Sequence, residues 1–422
     1  MLKPENTAKK TRDHTVFFAL PLPVRLLLIT QLLFNVGFYL VVPFLATFMH
    51  ENLAATGAMI GLVLGMRTFS QQGLFFLGGA LTDRFGVKPV LLTGIAIRVA
   101  GFILAGLSTS ISSLMIAVIL IGFAAALFSP AAEASFAVAG KKTEEDGIVS
   151  RAELFALDAL FSRVGSLTGP VLGALLLSTG FPVMCMVAAG IFTLLFFAHA
   201  CIVPAVKTPP SESVWASFSQ VLRNRPFLIF AAAYSTGLVC YNQQYLALPV
   251  ELMRATGNQG ALGWMFVFAS VFSLALQMPL ARWAQAHPRT VSLKIGFGLM
   301  ASAFAIIALC APFPAPTALG GMLALAPSIL MLILMHTGQM IALPIARDLV
   351  GVLAKEQSVG TYFGFLNSCG GVAVLLSSLI VGSLLDAATI PQPQAAFPWL
   401  VLTGMMAASA VVLPMIAARA TR

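Results

Sequence analysis

Apolar stretches long enough to cross a bilayer recur along almost the whole chain, and this recurrence constrains the fold more than any other feature. Of the 422 residues, 59% are hydrophobic and only 9% are charged, whereas a water-soluble protein carries about a quarter charged residues. The apolar stretches lack the alternating pattern of β-barrel strands, so they indicate spanning helices. The sequence therefore predicts an all-α polytopic membrane protein.

Twelve spans are predicted, because each apolar stretch reaches the length of about 20 residues that a hydrocarbon core of ~30 Å requires. They cover residues 24–48, 57–80, 88–108, 112–137, 149–178, 181–203, 226–250, 259–284, 290–311, 317–346, 357–385 and 396–418. The predicted domains are a cytoplasmic N-terminal tail (1–23), a six-helix half (24–203), a cytoplasmic linker (204–225), a second six-helix half (226–418) and a cytoplasmic C-terminal tail (419–422). The first tail is polar and basic and has no signal-peptide cleavage pattern.

Basic residues concentrate in alternate loops of this layout. With both termini cytoplasmic, twenty of the 24 Lys and Arg residues fall in the tails or in cytoplasmic loops. Arg254 alone falls in an outer loop, and Arg67, Arg98 and Arg163 fall inside spans. Because positive residues stay on the cytoplasmic side during insertion, the count predicts an even number of spans with both ends inside.

A short charged turn, Gly79-Ala-Leu-Thr-Asp-Arg-Phe-Gly-Val-Lys-Pro-Val-Leu91, joins the second and third spans. So few residues require antiparallel helices with the turn at a water boundary. Gly86 permits the reversal of the chain, and Pro89 suits the first turn of the next helix.

The two halves of the chain repeat each other weakly, on either side of the polar stretch 204–226. Corresponding positions are Val42-Pro43 and Leu248-Pro249 in spans one and seven, Pro130 and Pro344 in spans four and ten, and Gly169 and Gly382 in spans five and eleven. A parallel repeat of this kind predicts a binding site between the halves, near the membrane midplane.

Several kinds of chemistry find no support in the sequence. No Gly-x-x-x-x-Gly-Lys-Ser/Thr phosphate loop occurs, and the five cysteines stand singly without the spacing of a disulfide framework or metal site. The net charge of +9 is spread over alternate loops, which is unlike a nucleic-acid-binding face. We therefore expect no enzyme activity, no metal, no cofactor and no nucleic-acid partner. The remaining energy source is an ion gradient or the substrate's own gradient.

Span five carries a glycine stripe, Gly165-Ser-Leu-Thr-Gly169-Pro170-Val-Leu-Gly173. Glycines at i, i+4 and i+8 leave one helix face flat, so a neighbouring helix is expected to approach it closely. Pro170 is expected to bend the helix at this point.

The charged turn, with Gly79, Leu81, Asp83, Arg84, Gly86, Lys88 and Pro89 at fixed spacing, resembles the loop between spans two and three of major facilitator superfamily transporters. The stripe, as Gly-x-x-x-Gly-Pro-x-x-Gly in span five, resembles the antiporter motif of twelve-span drug:proton antiporters. Together these resemblances imply a fold of two six-helix halves, export rather than uptake, and Asp83 and Arg84 as a conformational latch at the cytoplasmic helix ends.

Residues 60–105 are similar to the MdtH-type multidrug efflux proteins of bacterial inner membranes. Arg67-x-Phe-x-Gln71-Gln72-Gly73 and Arg98-x-Ala-Gly101-Phe102 carry this similarity. The chain departs from its relatives at two places: span four has no arginine within 114–130, and Asn35 replaces the acidic residue that some relatives carry in span one.

Ionisable residues inside spans are costly and invite functional hypotheses. Arg67 and Arg98 either form a positive site, for an anionic substrate or a coupling carboxylate, or brace neighbouring helices. A carboxylate removed from water holds its proton at higher pH, so Asp158 and then Glu133 are the candidate proton carriers, with Glu153 and Arg163 nearby. A static ion pair of Asp158 with Arg163, or of Glu133 with Arg347, is the alternative.

Polar and aromatic positions on the predicted cavity helices complete the candidate site. They are Gln31, Asn35 and Phe38 in span one, Arg67 and Gln71 in span two, Arg98 in span three, Tyr241, Asn242, Gln243 and Tyr245 in span seven, His336 and Gln339 in span ten, and Asn367 in span eleven. An apolar pocket with a few amides and aromatic rings suits amphiphilic organic molecules. The same amides are also suited to bridging helices.

These observations predict a monomeric secondary transporter of the bacterial inner membrane that exports small organic compounds in exchange for protons by alternating access. A dedicated exporter of one metabolite, such as a siderophore, is the alternative within transport. A sensor or scaffold on a transporter fold is the alternative outside it.

The latch generates a first prediction. Asp83 is expected to cap a helix N-terminus, such as that of span eleven near Gly360, and to release it as the halves move. Asp83→Asn should therefore lower turnover more than substrate affinity in a transport assay with reconstituted protein. A large loss of affinity at normal turnover would contradict the latch.

Overall fold

The computed structural model describes residues 17–149, 151–202, 221–315, 323–354 and 359–420. Within the helices, the side chains of Asp83, Glu133 and Glu153 lie outside the described part. The latch contact near Gly360 and most of the predicted linker 204–225 also fall outside it. No β-strand occurs in the ranges that are described.

Twelve helical segments cross the described structure, six in each half. The first half contains α1 (Leu22–Leu53), α2 (57–85), α3 (Val87–Gly106), α4 (Ile111–Glu145), α5 (Arg151–Leu176) and α6 (Phe181–Ile202). The second half contains α7 (225–256), α8 (Leu262–Gln285), α9 (Arg289–Cys310), α10 (Ala326–Leu353), α11 (Val359–Leu385) and α12 (Phe397–Ala420).

Three of these segments are interrupted. A short 3₁₀ turn, Val42–Phe44, divides α1. The π-helical turn Phe69–Gly73 divides α2 into Gly57–Thr68 and Phe75–Phe85, and α7 consists of Arg225–Leu246 and Leu248–Thr256. Ten helices are long and apolar enough to be membrane spans by themselves, and α2 and α7 are the two others. The π-turn divides α2 into helices too short to span a membrane alone. The amide run of α7, Asn242-Gln243-Gln244, makes that helix less apolar than the others.

The predicted spans are confirmed in order, and some helices continue beyond them. Helix α4 continues to Glu145, past the predicted span end at 137, and α10 continues to Leu353, past 346. Hydropathy marks the edge of the hydrocarbon, whereas a helix continues into water for as long as its backbone bonds are satisfied.

Arg254 lies in the second helix of α7, Leu248–Thr256, and not in an outer loop as predicted. Its guanidinium donates two hydrogen bonds, of 2.8 and 2.6 Å, to the carboxylate of Glu251, and a third of 3.1 Å to the carbonyl of Phe313. This buried pair joins the end of α7 to the segment after α9.

The helix pairing within the two halves is the same. In the first half α3 packs on α4 and α6, and α1 packs on α5 and α6; in the second half α9 packs on α10 and α12, and α7 packs on α11 and α12. The halves meet through α2 against α11 and α5 against α8. In the repeat α2 corresponds to α8 and α5 corresponds to α11, so the two interfaces are equivalent. The repeat predicted from the sequence is therefore also a structural repeat.

An even number of spans puts the start of α1 and the end of α12 on one side of the bundle. We call this side the terminal face and the opposite side the far face. The turn between α2 and α3 lies on the terminal face, where Gly86 has a positive φ of 86°. Lys88, just after it, donates a hydrogen bond of 2.9 Å to the carbonyl of Ala200 at the end of α6. The turn thus reverses the chain as predicted and also holds α3 to α6.

The glycine stripe of α5 packs against α1. A methyl group on Gly169 would lie 2.7 Å from the Tyr39 Cβ, and one on Gly173 would lie 2.6 Å from the carbonyl of Leu40. The predicted close approach is therefore confirmed, and α1 is the partner helix.

A second close contact joins the two halves on the far face. Gly57, Gly61 and Gly65 repeat every four residues along α2 and face Ser378 and Gly382 of α11 so closely that none has room for a methyl group without displacing backbone or side-chain atoms. We call this contact the α2–α11 seam. Backbones at this separation gain dispersion contacts that larger side chains would prevent.

Polar contacts reinforce the seam and complete the far-face closure. The carboxylate of Asp386, at the end of α11, accepts a hydrogen bond of 2.5 Å from the backbone N–H of Gly57, at the start of α2. A carboxylate at a helix N-terminus also interacts favourably with the helix dipole. Thr47, near the end of α1, donates a hydrogen bond to Gln259 in the loop before α8. These contacts join the two halves on the far face.

The seam generates a prediction. Gly61→Val should separate α2 from α11 on the far face, because the new side chain meets the backbone carbonyl of Ser378. Spin labels are attached at His50→Cys and Asn258→Cys, both exposed on that face, in a background without native cysteines. The distance between the two labels, measured by double electron–electron resonance, should increase in Gly61→Val. Gly404→Val, at an α12 position with open space around it, is the matched control. Unchanged distances in Gly61→Val would refute the role of the seam.

Candidate substrate cavity

A cavity of about 510 Å³ lies between the two halves. Its walls come from α1, α5, α7, α8 and α10, through residues Tyr39, Arg163, Ser166, Tyr241, Gln244, Phe266, Ala269, Ser270, Ser273, Gln277, His336, Gln339, Met340, Leu343, Pro344 and Arg347. The lining extends to Arg347, which is exposed in the last turns of α10 on the terminal face. Because the far face is closed by the seam and by Thr47–Gln259, the cavity opens toward the terminal face.

A smaller cavity of about 170 Å³ continues into the first half. It shares Tyr39 and Tyr241 with the larger one, and its remaining lining comes from α1, α2 and α7: Phe34, Asn35, Phe38, Arg67, Thr68, Gln71, Gln72, Leu238, Asn242 and Tyr245. Together the two cavities form one polar region near the middle of the bundle.

Three tyrosines connect the halves at the boundary between the cavities. The hydroxyl groups of Tyr39 (α1) and Tyr241 (α7) are 2.8 Å apart, and those of Tyr241 and Tyr245 are 3.2 Å apart. A neutral hydrogen bond of this kind contributes about 0.5–1.5 kcal/mol. Tyr39 was not among the predicted site residues.

The amide run of α7 divides between the cavity and helix packing. Asn242 accepts a hydrogen bond of 3.4 Å from Thr68 of α2 and donates one of 3.2 Å to Ser378 of α11. Gln243 is fully buried and donates to the carbonyl of Val239 one turn earlier, at 3.0 Å. Asn242 therefore bridges three helices, whereas Gln243 faces away from the cavity lining.

Arg67 lies in the wall of the smaller cavity and is braced by neighbours of its own helix. Its guanidinium donates hydrogen bonds to Thr68, at 2.9 Å, and to Gln71, at 3.4 Å, and lies 5.1 Å from the ring centre of Phe38. It has no carboxylate partner among the described residues.

Arg98 is 1% exposed and is enclosed by aromatic rings. The guanidinium carbon lies 3.7 Å from the ring centre of Phe34 and 4.9 Å from that of Phe192, with Phe38 and Phe102 at 5.8 Å. None of its three nitrogens has a hydrogen-bond partner in the described structure. Cation–π attraction thus replaces ion pairing here, and neither cavity includes Arg98 in its lining.

Asp158 and Arg163 do not form the ion pair that was one alternative in the sequence. Five residues along a helix correspond to a rotation of about 140°, so the two side chains point to different sides of α5. Arg163 lines the large cavity. The Asp158 carboxylate lies near Gln31 of α1, and its Oδ1 is buried without a hydrogen-bond partner.

The remaining predicted residues are distributed as follows. Asn35 lines the smaller cavity and donates hydrogen bonds to the carbonyl of Gln31, at 2.8 Å, and to Ser162 of α5, at 2.9 Å. His336 and Gln339 line the large cavity, with the His336 ring 3.4 Å from the hydroxyl of Ser273. Gln31 and the half-buried Asn367 are absent from both described linings.

Helix α8 contributes polar residues to the cavity that the sequence prediction omitted, although their spacing could have identified them. Ser270, Ser273 and Gln277 are spaced i, i+3 and i+7, which puts them on one helix face, and all three line the cavity. Ser270 also donates a hydrogen bond of 3.3 Å to the carbonyl of Ser166 in α5, so this face joins the two halves.

Arg98 generates a prediction for stability. Because no group hydrogen-bonds to Arg98, Arg98→Met should leave no unpaired partner and should place a thioether against the phenylalanine rings. We expect the Tm of the purified variant to equal or exceed that of the parent protein. Arg67→Met, which leaves Thr68 and Gln71 without their donor, should lower the Tm. A large loss of stability in Arg98→Met alone would contradict the cage description.

Two repeated six-helix halves around a shared polar cavity, open toward one face, define the class of two-half membrane transporters. The sequence profile described as Major Facilitator Superfamily matches residues 27–378. The chain belongs to this family, as the charged turn and the glycine stripe predicted.

Relatives with similar sequences cover nearly the whole chain. A putative uncharacterized MFS-type transporter of Mycobacterium tuberculosis is 33% identical over 402 residues, covering 93% of each protein. Multidrug resistance protein MdtH of Aeromonas hydrophila is 29% identical over 381 residues, covering 89% of this chain and 90% of the relative. MdtH of Escherichia coli O157:H7 is 28% identical over 382 residues, covering 89% of each.

Solved structures share the fold. A POT family transporter in complex with 5-aminolevulinic acid superposes with a TM-score of 0.78 at 12% identity, over 96% of this chain and 100% of that chain. A point mutant of the nucleoside transporter NupG superposes with a TM-score of 0.74 at 15% identity, over 93% of this chain and 99% of that chain.

Proposed function

We propose that the protein exports small organic compounds across the bacterial inner membrane in exchange for protons. The observation that carries this proposal is the cavity of about 510 Å³ between the two halves, closed on one face and reaching the other. A cavity of this size suits a drug-sized molecule. In alternating access, the halves pivot so that the same cavity opens first to one side and then to the other.

The interfaces between the halves support this motion. On the far face, contact rests on close backbone packing in the α2–α11 seam and on a few hydrogen bonds, including Asp386 with Gly57. No ion pair between the halves is found on this face in the described part of the chain, so opening it breaks packing and hydrogen bonds only. The distribution of basic residues supports a cytoplasmic terminal face, and with that orientation the described state is the one that loads cargo from inside the cell.

Asp158 is the proposed proton carrier. Among the acidic residues whose side chains are described, Glu251 and Asp348 are ion-paired, whereas Asp158 lies inside a span with one carboxylate oxygen buried and unpartnered. Such a carboxylate gains by accepting a proton, because protonation removes an uncompensated charge from a poorly solvated site. Its neighbour Gln31 lies on α1, so the carboxylate is placed near the α5–α1 interface.

The lining of the cavity supports an amphiphilic organic cargo. Phe266, Met340 and Leu343 offer apolar surface, while Gln244 and Gln339 offer amide donors and acceptors. The relatives named multidrug resistance protein MdtH support efflux of drug-like compounds as the working assignment.

The test is proton-coupled flux in proteoliposomes. Asp158→Asn should abolish proton-driven export and substrate-induced proton movement, while the variant still folds and inserts, because the amide keeps the shape of the carboxylate and cannot release a proton. Asp146→Asn, which changes an exposed residue at the end of α4, is the matched control and should transport normally. Full export with unchanged pH dependence in Asp158→Asn would reject Asp158 as the carrier.

A further inference from the structure

The large cavity contains guanidinium groups from both halves, and neither has a carboxylate partner among the described residues. Arg163 projects from α5, and no hydrogen bond or ion pair of its guanidinium is found in that part of the chain. Arg347 projects from α10 and donates one hydrogen bond, of 3.3 Å, to the hydroxyl of Tyr234. Because no described carboxylate neutralises either guanidinium, both groups are available to a ligand.

The nearest acidic residues along the helices are otherwise engaged. Asp348 follows Arg347 directly, but its carboxylate accepts a hydrogen bond of 2.6 Å from Arg289 of α9. Asp158 is absent from the described lining and faces Gln31. The described lining of the large cavity therefore contains two arginines and a histidine, and no carboxylate.

The remaining polar groups of the cavity are suited to an anion as well. Tyr241, Gln244 and Gln277 each carry a hydrogen-bond donor, as do Ser270 and Ser273 of α8. Arg67 adds a further positive charge in the adjoining smaller cavity. The caged Arg98, in contrast, is too enclosed to touch a ligand and contributes only its charge.

From this arrangement we propose that the protein selects organic anions: molecules with an apolar or aromatic body and a carboxylate, phosphate or sulfonate group. The anionic group binds Arg163 of the first half and Arg347 of the second, and the apolar body lies against Phe266, Met340 and Leu343. An anion bound to both arginines connects the two halves across the cavity. This inference rests on the proposed function, in that the cavity is taken as the transport site.

Binding of two dyes with the same ring system tests the charge preference. Fluorescein is an anion and rhodamine 6G a cation at neutral pH, and both are xanthenes of similar size. Fluorescence anisotropy with the purified, detergent-solubilised full chain gives a Kd for each without any need for transport. We expect the parent protein to bind fluorescein at least about tenfold more tightly than rhodamine 6G, since a charge-assisted hydrogen bond contributes that factor or more.

Substitutions assign the preference to the two arginines. Arg163→Gln and Arg347→Gln should each weaken fluorescein binding by about tenfold and leave rhodamine 6G binding unchanged or tighter. Arg163→Lys should retain part of the preference, because it keeps the charge and loses the forked donor geometry. Arg419→Gln removes an equal charge from an exposed position at the end of α12 and should leave both Kd values unchanged.

Several outcomes would overturn the proposal. They are equal binding of the two dyes, tighter binding of rhodamine 6G, no measurable binding of fluorescein, and a preference that survives in the Arg163→Gln, Arg347→Gln double variant. The proposed function fails separately, through absence of proton-coupled flux in proteoliposomes. Intact anion preference without such flux would reject antiport and leave the binding assignment standing.

Discussion

The hydrocarbon interior of a bilayer supplies no hydrogen-bond partners, and the arrangement of polar groups in this protein follows from that constraint. Backbone groups are satisfied within helices, and polar side chains are directed at one another across the bundle. The contacts of Asn35 with Ser162 and of Tyr39 with Tyr241 are examples. Tyr39 and Tyr241 come from different halves, so they meet where the halves meet, and the polar cavity lies at that boundary.

The closure of the far face rests on backbone proximity, reinforced by one carboxylate. Gly57 and Gly61 let α2 approach α11 closely, and Asp386 then reaches the start of α2. Nearer the terminal face the wall of the cavity carries long polar side chains, such as Arg347, where the far face has glycines.

Much of this fold could be predicted from the sequence, because span length, loop charge and the turn around Gly86 are local signals. Helix ends such as Glu145 could not, since hydropathy reports the membrane edge and not the backbone. The α2–α11 seam was missed although Gly57, Gly61 and Gly65 have the same spacing as the predicted stripe of α5. Spacing shows that a helix has a flat face, but only tertiary structure shows which helix packs against it.

The candidate site was predictable to a similar extent. Asn35, Tyr241 and His336 line cavities, as their polarity suggested. Arg98 had the same polarity, yet lies in a phenylalanine cage, because Phe34 and Phe192 are brought to it from α1 and α6 by packing that no local pattern encodes. The register between helices decides which polar residues meet a cavity, and a single sequence does not specify it.

The cage around Arg98 has an electrical consequence. Its four rings belong to α1, α3 and α6, so the charge is carried by the first half alone and has no anion in the described structure to cancel it. Transfer of one elementary charge across a potential of 100 mV changes the free energy by about 2.3 kcal/mol. A tilt of the first half that carries this charge through even part of that field makes the balance between inward-open and outward-open states depend on membrane voltage.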